Sequence, residues 1–239
     1  MKIDNKKIVP LKNFGQNYLQ DKNILRKITE VIDPQQNDQF VEIGPGLGAL
    51  TEFLYDKVEN LCCVEIDKRI SELLIKNFPR INLIVSDFLQ IDLDELQKDK
   101  TKKIRVAGNI PYNITSPIIF KLLEKRAIVK DAVFLVQLEV AQRITAKKGT
   151  KDYGILAVIL NTFGDTELCF KVSPNVFFPK PKVFSAVIKI SFKEIVTDLI
   201  DEKIFIKIVK AAFSTRRKTL KNSLRNGIFA EFDFSNCGV

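Results

Sequence analysis

The chain predicts an α/β fold built on a parallel sheet with helices on both faces, followed by a small helical segment. Three observations carry this expectation. Short apolar runs of strand character alternate with amphipathic helical stretches from about residue 21 to residue 192. A glycine-rich turn, Gly44-Pro-Gly-Leu-Gly48, follows the first buried run at once and opens a helix, as in nucleotide-binding βαβ units. Acidic or amide side chains then recur just after successive strands, at Glu65, Asp87 and Asn109, and ligands of such sheets sit at the carboxyl ends of the strands.

Taken in order, residues 12–19 form an irregular segment broken by Gly15. Asp21 reads as the N-cap of a helix bearing Ile24, Leu25, Ile28, Val31 and Ile32, which Asp33-Pro34 closes. Residues 39–43 read as a buried strand, and the glycine turn leads into a helix over 49–57. Ala49 completes a Gly-x-Gly-x-x-Gly/Ala match, which by itself fits a dinucleotide site or an S-adenosylmethionine site. A strand over 61–64 ends at Glu65-Ile-Asp67. Glu65 lies 21 residues after Gly44, near the offset at which an acidic side chain reaches ribose hydroxyls, while Asp67 suits the start of a helix over 68–78. The third pass runs from a strand over 81–85 to Ser86-Asp87-Phe88, where a carboxylate can bind an adenine edge with an aromatic beside it. The plainer role for Asp87 is to cap the turn toward 91–96.

A strand over 104–108 delivers Asn109. Thr115 or Ser116 is expected to cap a helix over 117–125, followed by a strand over 132–137 and helices over 140–146 and 153–163. Strands over 167–172 and 184–192 flank Pro174-Asn-Val-Phe-Phe-Pro-Lys-Pro-Lys182, a stiff, basic, aromatic arch from which Phe177 or Phe178 would face Tyr112 across a base. From Glu194 the pattern is helical only, with Ile204, Ile208, Ala211 and Ala212 on one face. The dense run Arg216, Arg217, Lys218, Lys221 and Arg225 follows and suits a grip on phosphate. The expected division is a large domain over 1–193 and a small helical domain over 194–239.

Composition narrows the chemistry. The 239 residues are 46% hydrophobic and 28% charged, which is globular, and no apolar run has the length of a membrane span. The basic start (Lys2, Lys6, Lys7, Lys12) lacks the apolar stretch of a secretory signal, so a soluble, cytoplasmic protein is expected. The net charge of +9 favours a polyanionic partner, above all nucleic acid. Cys62, Cys63, Cys169 and Cys237 match neither a zinc spacing nor a disulfide framework. With no histidine in the chain, Ser-His and Cys-His nucleophile pairs are impossible and no metal site is expected.

The stretch Val106-Ala-Gly-Asn-Ile-Pro-Tyr112 presents an amide, backbone carbonyls and an aromatic ring from one rigid turn, Pro111 fixing φ and removing a donor. An adenine amine is a poor nucleophile because its lone pair is delocalised. Acceptors at the Asn109 side chain and the Ile110 carbonyl favour a pyramidal nitrogen with the lone pair freed, and the Tyr112 face suits a base drawn out of its stack. Alone, the four residues Asn109-Ile-Pro-Tyr112 read better as an ordinary turn, and their weight comes from what precedes them in the chain.

The motifs together resemble the KsgA-type family of small-subunit ribosomal RNA adenine dimethyltransferases. The resemblance runs from Asn13-Phe-Gly-Gln-Asn-Tyr-Leu19 through Glu42-Ile-Gly-Pro-Gly-Leu-Gly48 and Gly108-Asn-Ile-Pro-Tyr-Asn-Ile-Thr-Ser-Pro117. It continues to Pro179-Lys-Pro-Lys-Val183 and Arg216-Arg-Lys-Thr-Leu-Lys-Asn-Ser-Leu224, nearly the whole chain. It implies a class I Rossmann-like S-adenosylmethionine-dependent methyltransferase domain with a small all-α C-terminal domain. The implied activity is dimethylation of two adjacent adenines near the 3′ end of small-subunit rRNA, inside an assembling ribosomal particle, by a monomer. Carried over by motif, Asn17 and Leu19 would line the cofactor's methionine side with Gln16 beside them, and Gly44 and Gly46 the turn beneath it. Glu65 would take the ribose and Asp87 the adenine, flanked by Ile66 and Phe88. Asn109 and Ile110 would orient the target amine within the Asn109-Ile-Pro111-Tyr112 turn, with Tyr112 and Phe177 stacking its base, Phe178 adjoining, and Arg216, Arg217, Lys218 and Lys221 holding RNA. No general base is called for, since the proton can leave to water.

Three departures stand out. Tyr18 occupies a place where Phe is more usual, Phe178 and Lys180 interrupt the arch, and the chain stops at Val239, short enough that final helices of the small domain are expected to be missing. The alternatives are a large-subunit rRNA methyltransferase of the macrolide-resistance type, which shares the Asn-x-Pro-Tyr turn, a DNA adenine methyltransferase, and a non-catalytic RNA-binding assembly or transcription factor.

Overall fold

Buried apolar segments must pair their backbone N–H and C=O groups, and here they do so in one central sheet. The computed structural model describes residues 16–194, 196, 199–215, 218–225 and 229–234, together with the backbone of 2–3 and 6–7, which pair as a short antiparallel ribbon. The sheet has seven strands: β1 (Gln39–Ile43), β2 (Asn60–Glu65), β3 (Asn82–Val85), β4 (Ile104–Asn109), β5 (Val129–Gln137), β6 (Gly164–Val172) and β7 (Ser185–Phe192). Their order is β3-β2-β1-β4-β5-β7-β6.

The expectation of a wholly parallel sheet is corrected at one strand. β1 to β5 pair in parallel, whereas β7 runs antiparallel to both β5 and β6. The cause lies in the connection. A parallel neighbour needs a crossover, usually a helix, but between β6 and β7 lies only the Pro-rich arch with a three-residue turn at Pro174–Val176.

Helices cover both faces: α1 (Lys22–Ile32), α2 (Thr51–Leu54), α3 (Lys68–Asn77), α4 (Leu93–Leu96), α5 (Thr115–Glu124), α6 (Leu138–Ile144) and α7 (Ile155–Phe163). Alternation along β5 shows why two faces are needed. Ala132, Phe134 and Val136 enter the core shared with α4 to α7, while Val133 and Leu135 enter the core under α1 and α2. At the amino end of the sheet the buried Arg105 holds Asp131 through Nε and Nη2, Asp38 at 2.7 Å, and the Ile32 and Asp33 carbonyls, fastening the end of α1 to β4 and β5. Every carboxylate it touches offsets the cost of burying its charge.

Several expected helix starts differ: α6 begins at Leu138, two residues early, and α7 at Ile155, two residues late. The segment after the glycine turn is α-helical only over α2, with turns on either side. α5 begins at Thr115, two residues early, because the 3-10 turn Tyr112–Ile114 feeds straight into it. Neither Thr115 nor Ser116 caps it; Ile114 is at the N-cap, and the Thr115 hydroxyl turns back to the Pro111 carbonyl.

Beyond residue 193 the described segments form α8 (Glu202–Ala212) and α9 (Leu220–Arg225). Phe205 meets Phe163 edge-on at 5.9 Å, Phe213 meets Tyr153 at 6.2 Å, and Glu202 pairs with Arg126, so α8 rests against α7, the loop before α7 and the turn between α5 and β5. The side chains of Lys2, Lys6 and Lys7, and residues 12–15, Arg216, Arg217 and Cys237, lie outside the described residues.

Candidate functional site

At the carboxyl ends of β1, β2, β3 and β4 a cavity of about 740 Å³ opens. Its floor is the glycine turn. Gly46 has φ +55°, and a Cβ there would meet the Tyr18 ring at 2.9 Å, so both conformation and space demand glycine. A second glycine sets the distance between strands: a Cβ on Gly108 would stand 2.3 Å from the Ile43 carbonyl oxygen, so β4 can lie this close to β1 only without one.

Glu65 ends β2 inside the cavity. One carboxylate oxygen accepts the Gly46 N–H at 3.0 Å and the other accepts the Asp67 N–H at 2.9 Å, which ties the glycine turn to the neighbouring strand end. Burial pushes its carboxyl upward despite those bonds. Asp67 plays the structural part expected of it, capping α3 at the Arg69 N–H. The Arg69 side chain, with further help from Gln16 Nε2 at 3.0 Å, lowers its pKa to about 2.

Asp87 lines the cavity and also accepts the Leu89 N–H at 2.9 Å, so it combines a wall position with a cap. Phe88 is buried in the core and reaches the cavity as part of its wall, while Ile66 is exposed at the rim. Gln16, Asn17 and Leu19 complete this side.

Asn109 stands at the end of β4. Its Nδ2 donates to the Asn17 carbonyl at 2.8 Å, which fixes the amide so that Oδ1 is left as the acceptor end. The Ile110 N–H donates to the Leu135 carbonyl at 3.2 Å, locking the turn to β5, and the Ile110 side chain is buried. Tyr112 shares a 2.9 Å hydrogen bond between its hydroxyl and the buried Ser185 Oγ, and burial pushes the phenol upward.

The assignment of the arch aromatics is corrected. Phe177 is only 5% exposed and packs in the core with Leu19 and Val176; Phe178, 53% exposed, lines the cavity. Alternation explains the exchange. The pair Phe177–Phe178 forms a two-residue strand against Tyr18–Leu19, so one ring must point inward and the next outward. Lys218 and Lys221 are not among the residues that line the cavity.

Three participants escape the sequence reading. Ser185 anchors Tyr112, and no short-range pattern marks a serine 73 residues away in the chain as its partner. Glu42 stands just before the glycine turn, fully buried, accepting from Thr51 Oγ at 2.7 Å and Cys63 Sγ at 3.8 Å; burial raises its carboxyl to about 7. Its place at a strand end before the glycines is the available signal. Tyr18 reads in sequence only as a mild change from Phe, yet its hydroxyl is buried without a hydrogen-bond partner among the described residues.

The family model described as Ribosomal RNA adenine dimethylase matches residues 10–235. The chain is 46% identical over 214 residues to Ribosomal RNA small subunit methyltransferase A of Chlorobium phaeobacteroides, covering 90% of this chain and 80% of that protein. It is 41% identical over 218 residues to the protein of the same name from Francisella tularensis, covering 90% and 83%. Among solved structures it is similar to a dimethyladenosine transferase from Plasmodium falciparum, with TM-score 0.75, 30% identity and coverage of 87% of this chain and 74% of that one. It is also similar to the 23S rRNA methyltransferase ErmE, with TM-score 0.72, 27% identity and coverage of 87% and 84%.

Proposed function

The chain belongs to the ribosomal RNA adenine dimethylase family, and from that premise we propose that it dimethylates the exocyclic amines of two adjacent adenines near the 3′ end of small-subunit rRNA, using S-adenosylmethionine. The observation that carries the reading is Asn109. Its amide is pinned by the Asn17 carbonyl with the acceptor end left over, on a turn that shares one cavity with Glu65 and Gly46 as well as with Tyr112 and Phe178.

The residues fit the cofactor. The glycine turn lines the cavity, Glu65 keeps acceptor capacity beyond its two N–H bonds, and Asp87 with Ile66 offers an acidic and an apolar wall for an adenine. Gln16, Asn17 and Leu19 would take the methionine side. S-adenosylmethionine, when bound, supplies a methyl group already activated on a sulfonium.

The chain's own contribution is therefore alignment. Asn109 Oδ1 and the Ile110 carbonyl accept the two N–H groups of the target amine and draw its lone pair out of conjugation with the ring. Pro111 keeps the turn stiff, and Tyr112 and Phe178 hold the base by its faces. Tyr112 does not serve as a base: its hydroxyl is committed to Ser185 and burial keeps it a neutral phenol. The proton lost from the amine goes to water.

The substrate is an assembling small-subunit particle in the cytoplasm, the enzyme acts as a monomer, and Arg216, Arg217, Lys218 and Lys221 of the small helical domain over 194–239 hold RNA. The basic balance of the chain supports this, and among the described residues no helix is long and apolar enough to cross a membrane. Likeness to the 23S rRNA methyltransferase ErmE favours large-subunit RNA as a second reading, against the higher identity to small-subunit methyltransferases.

The test is transfer of labelled methyl to undermodified small-subunit particles and, separately, to large-subunit RNA, with nucleosides identified by mass spectrometry. Dimethyladenosine is expected in the small-subunit substrate alone; label only in large-subunit RNA would favour the second reading, and no label in either would end both. In the same assay Asn109→Ala is expected to abolish transfer while RNA binding persists, and wild-type turnover in that variant would remove Asn109 from the mechanism.

A further inference from the structure

Tyr18 lies on the short strand facing Phe178, and its ring edge closes over Gly46, leaving no space for a Cβ at that glycine. Beyond that edge its hydroxyl is buried, and none of the described residues accepts from or donates to it. Besides Arg126 Nε, it is the one such side-chain polar atom among the described residues. A buried hydroxyl without a partner forfeits its solvation for nothing, unless something that visits the cavity supplies the missing bond.

The surroundings say what kind of group that is. Gly46, under the ring, donates its N–H to Glu65, and the negative charges of Asp67 and Glu65 act on the phenol. Burial first, then these two carboxylates, push the Tyr18 hydroxyl up to about 12, so it remains a protonated donor throughout the neutral range. Asp67 is already occupied by Arg69 and Gln16. A ligand group that donates to the Glu65 carboxylate and accepts from a phenol must itself be both donor and acceptor, as an alcohol is.

Resting on the cofactor reading above, we infer that Tyr18 and Glu65 form a paired clamp on the ribose hydroxyls of the methyl donor. Glu65 accepts from a ribose hydroxyl, and the Tyr18 hydroxyl donates to one. A phenylalanine at this position closes over Gly46 equally well and gives the pocket the same apolar edge, but makes no such bond, so the added hydroxyl tightens the hold on ribose in this chain specifically.

The experiment is calorimetric titration of the full chain and of Tyr18→Phe with two probes, S-adenosylhomocysteine and its 2′,3′-dideoxy analogue. One neutral hydrogen bond corresponds to a loss of roughly fivefold in affinity. Tyr18→Phe is expected to bind S-adenosylhomocysteine about fivefold more weakly than the wild type and the dideoxy analogue with unchanged affinity, so its preference for the ribose form shrinks by the same factor. Equal affinities of both proteins for both probes would overturn the inference, and so would an equal loss for both probes, which marks the tyrosine as packing only. Failure of the wild type itself to bind S-adenosylhomocysteine would overturn the cofactor reading and the clamp together, a result distinct from either of those.

Discussion

Replacing Glu42 by glutamine should make the protein more stable above neutral pH and leave it nearly unchanged below about pH 4.5. Glu42 is 1% exposed and hydrogen-bonded to Thr51 and Cys63, and burial raises its carboxyl from an ordinary 4.5 to about 7. Between those two values the unfolded chain has released the proton while the folded chain still holds it. The neutral carboxyl therefore contributes stability that is whole below about pH 4.5 and is lost as pH rises to about 7. Each tenfold change in acidity between the two states corresponds to about 1.4 kcal/mol, so the loss reaches about 3 kcal/mol as an upper bound for a single buried site. Glutamine keeps the shape and an acceptor for Thr51 but carries no proton to lose. Urea unfolding at closely spaced pH values from about 4.5 to above 7 gives the difference between variant and wild type. That difference should start near zero on the acid side and grow to between about 1 and 3 kcal/mol in favour of Glu42→Gln. Because burial raises Glu65 as well, both proteins will weaken toward high pH, and only the difference reports Glu42. A difference that stays flat across the range would show that Glu42 is already ionised in the folded protein in mild acid, and the reasoning from burial would fail.

The arch aromatics separate stability from recognition. Phe177→Ala should lower unfolding free energy by about 3–5 kcal/mol, since it empties a core position, whereas Phe178→Ala should change stability by roughly 0.5 kcal/mol or less and raise KM for the RNA substrate, in line with a lost stacking contact of about 1–3 kcal/mol. Steady-state kinetics beside thermal melts decides it, and a reversed pattern would restore Phe177 as the stacking ring. Gly108→Ala should force β4 from β1, because its methyl would stand 2.3 Å from the Ile43 oxygen; a cost of about 1–3 kcal/mol or more is expected, with weaker binding of S-adenosylhomocysteine since both strands end in the cavity. Wild-type affinity in a folded Gly108→Ala protein would contradict that coupling.

The alternation of strand and helix was legible because each run is dictated locally. Asp21 and Asp67 cap α1 and α3 as their sequence contexts indicate, and β1, β2 and β4 start and end within a residue or so of where the apolar runs do. The reversal of β7 was not legible, since an apolar run carries no arrow and its direction depends on the connection before it. The same holds at the site. Gly44, Glu65, Asp87 and Asn109 announce themselves by following strands, and all four line one cavity. Ser185 and Glu42 are held by partners elsewhere in the chain, and the hydroxyl of Tyr18 has none among the described residues, which no local window records. The choice between Phe177 and Phe178 depended on the register of a two-residue ladder, and a slip of one position in such a ladder exchanges inside for outside.

That ladder also has a mechanical meaning. Phe177 stands opposite Leu19 and Phe178 opposite Tyr18, so the cavity wall at Tyr18 and Leu19 and the cavity rim at Phe178 are two strands of one strap. Gln20 extends it, its N–H donating to the Val176 carbonyl at 2.9 Å, and Asn17 fastens its other end to Asn109. A displacement of the arch is thereby a displacement of the segment from Asn17 to Gln20, and whatever steadies one side steadies the other. Energetic linkage of this kind acts in both directions, so under the proposed function the uptake of donor and the seating of a base would be joined through this one short strap.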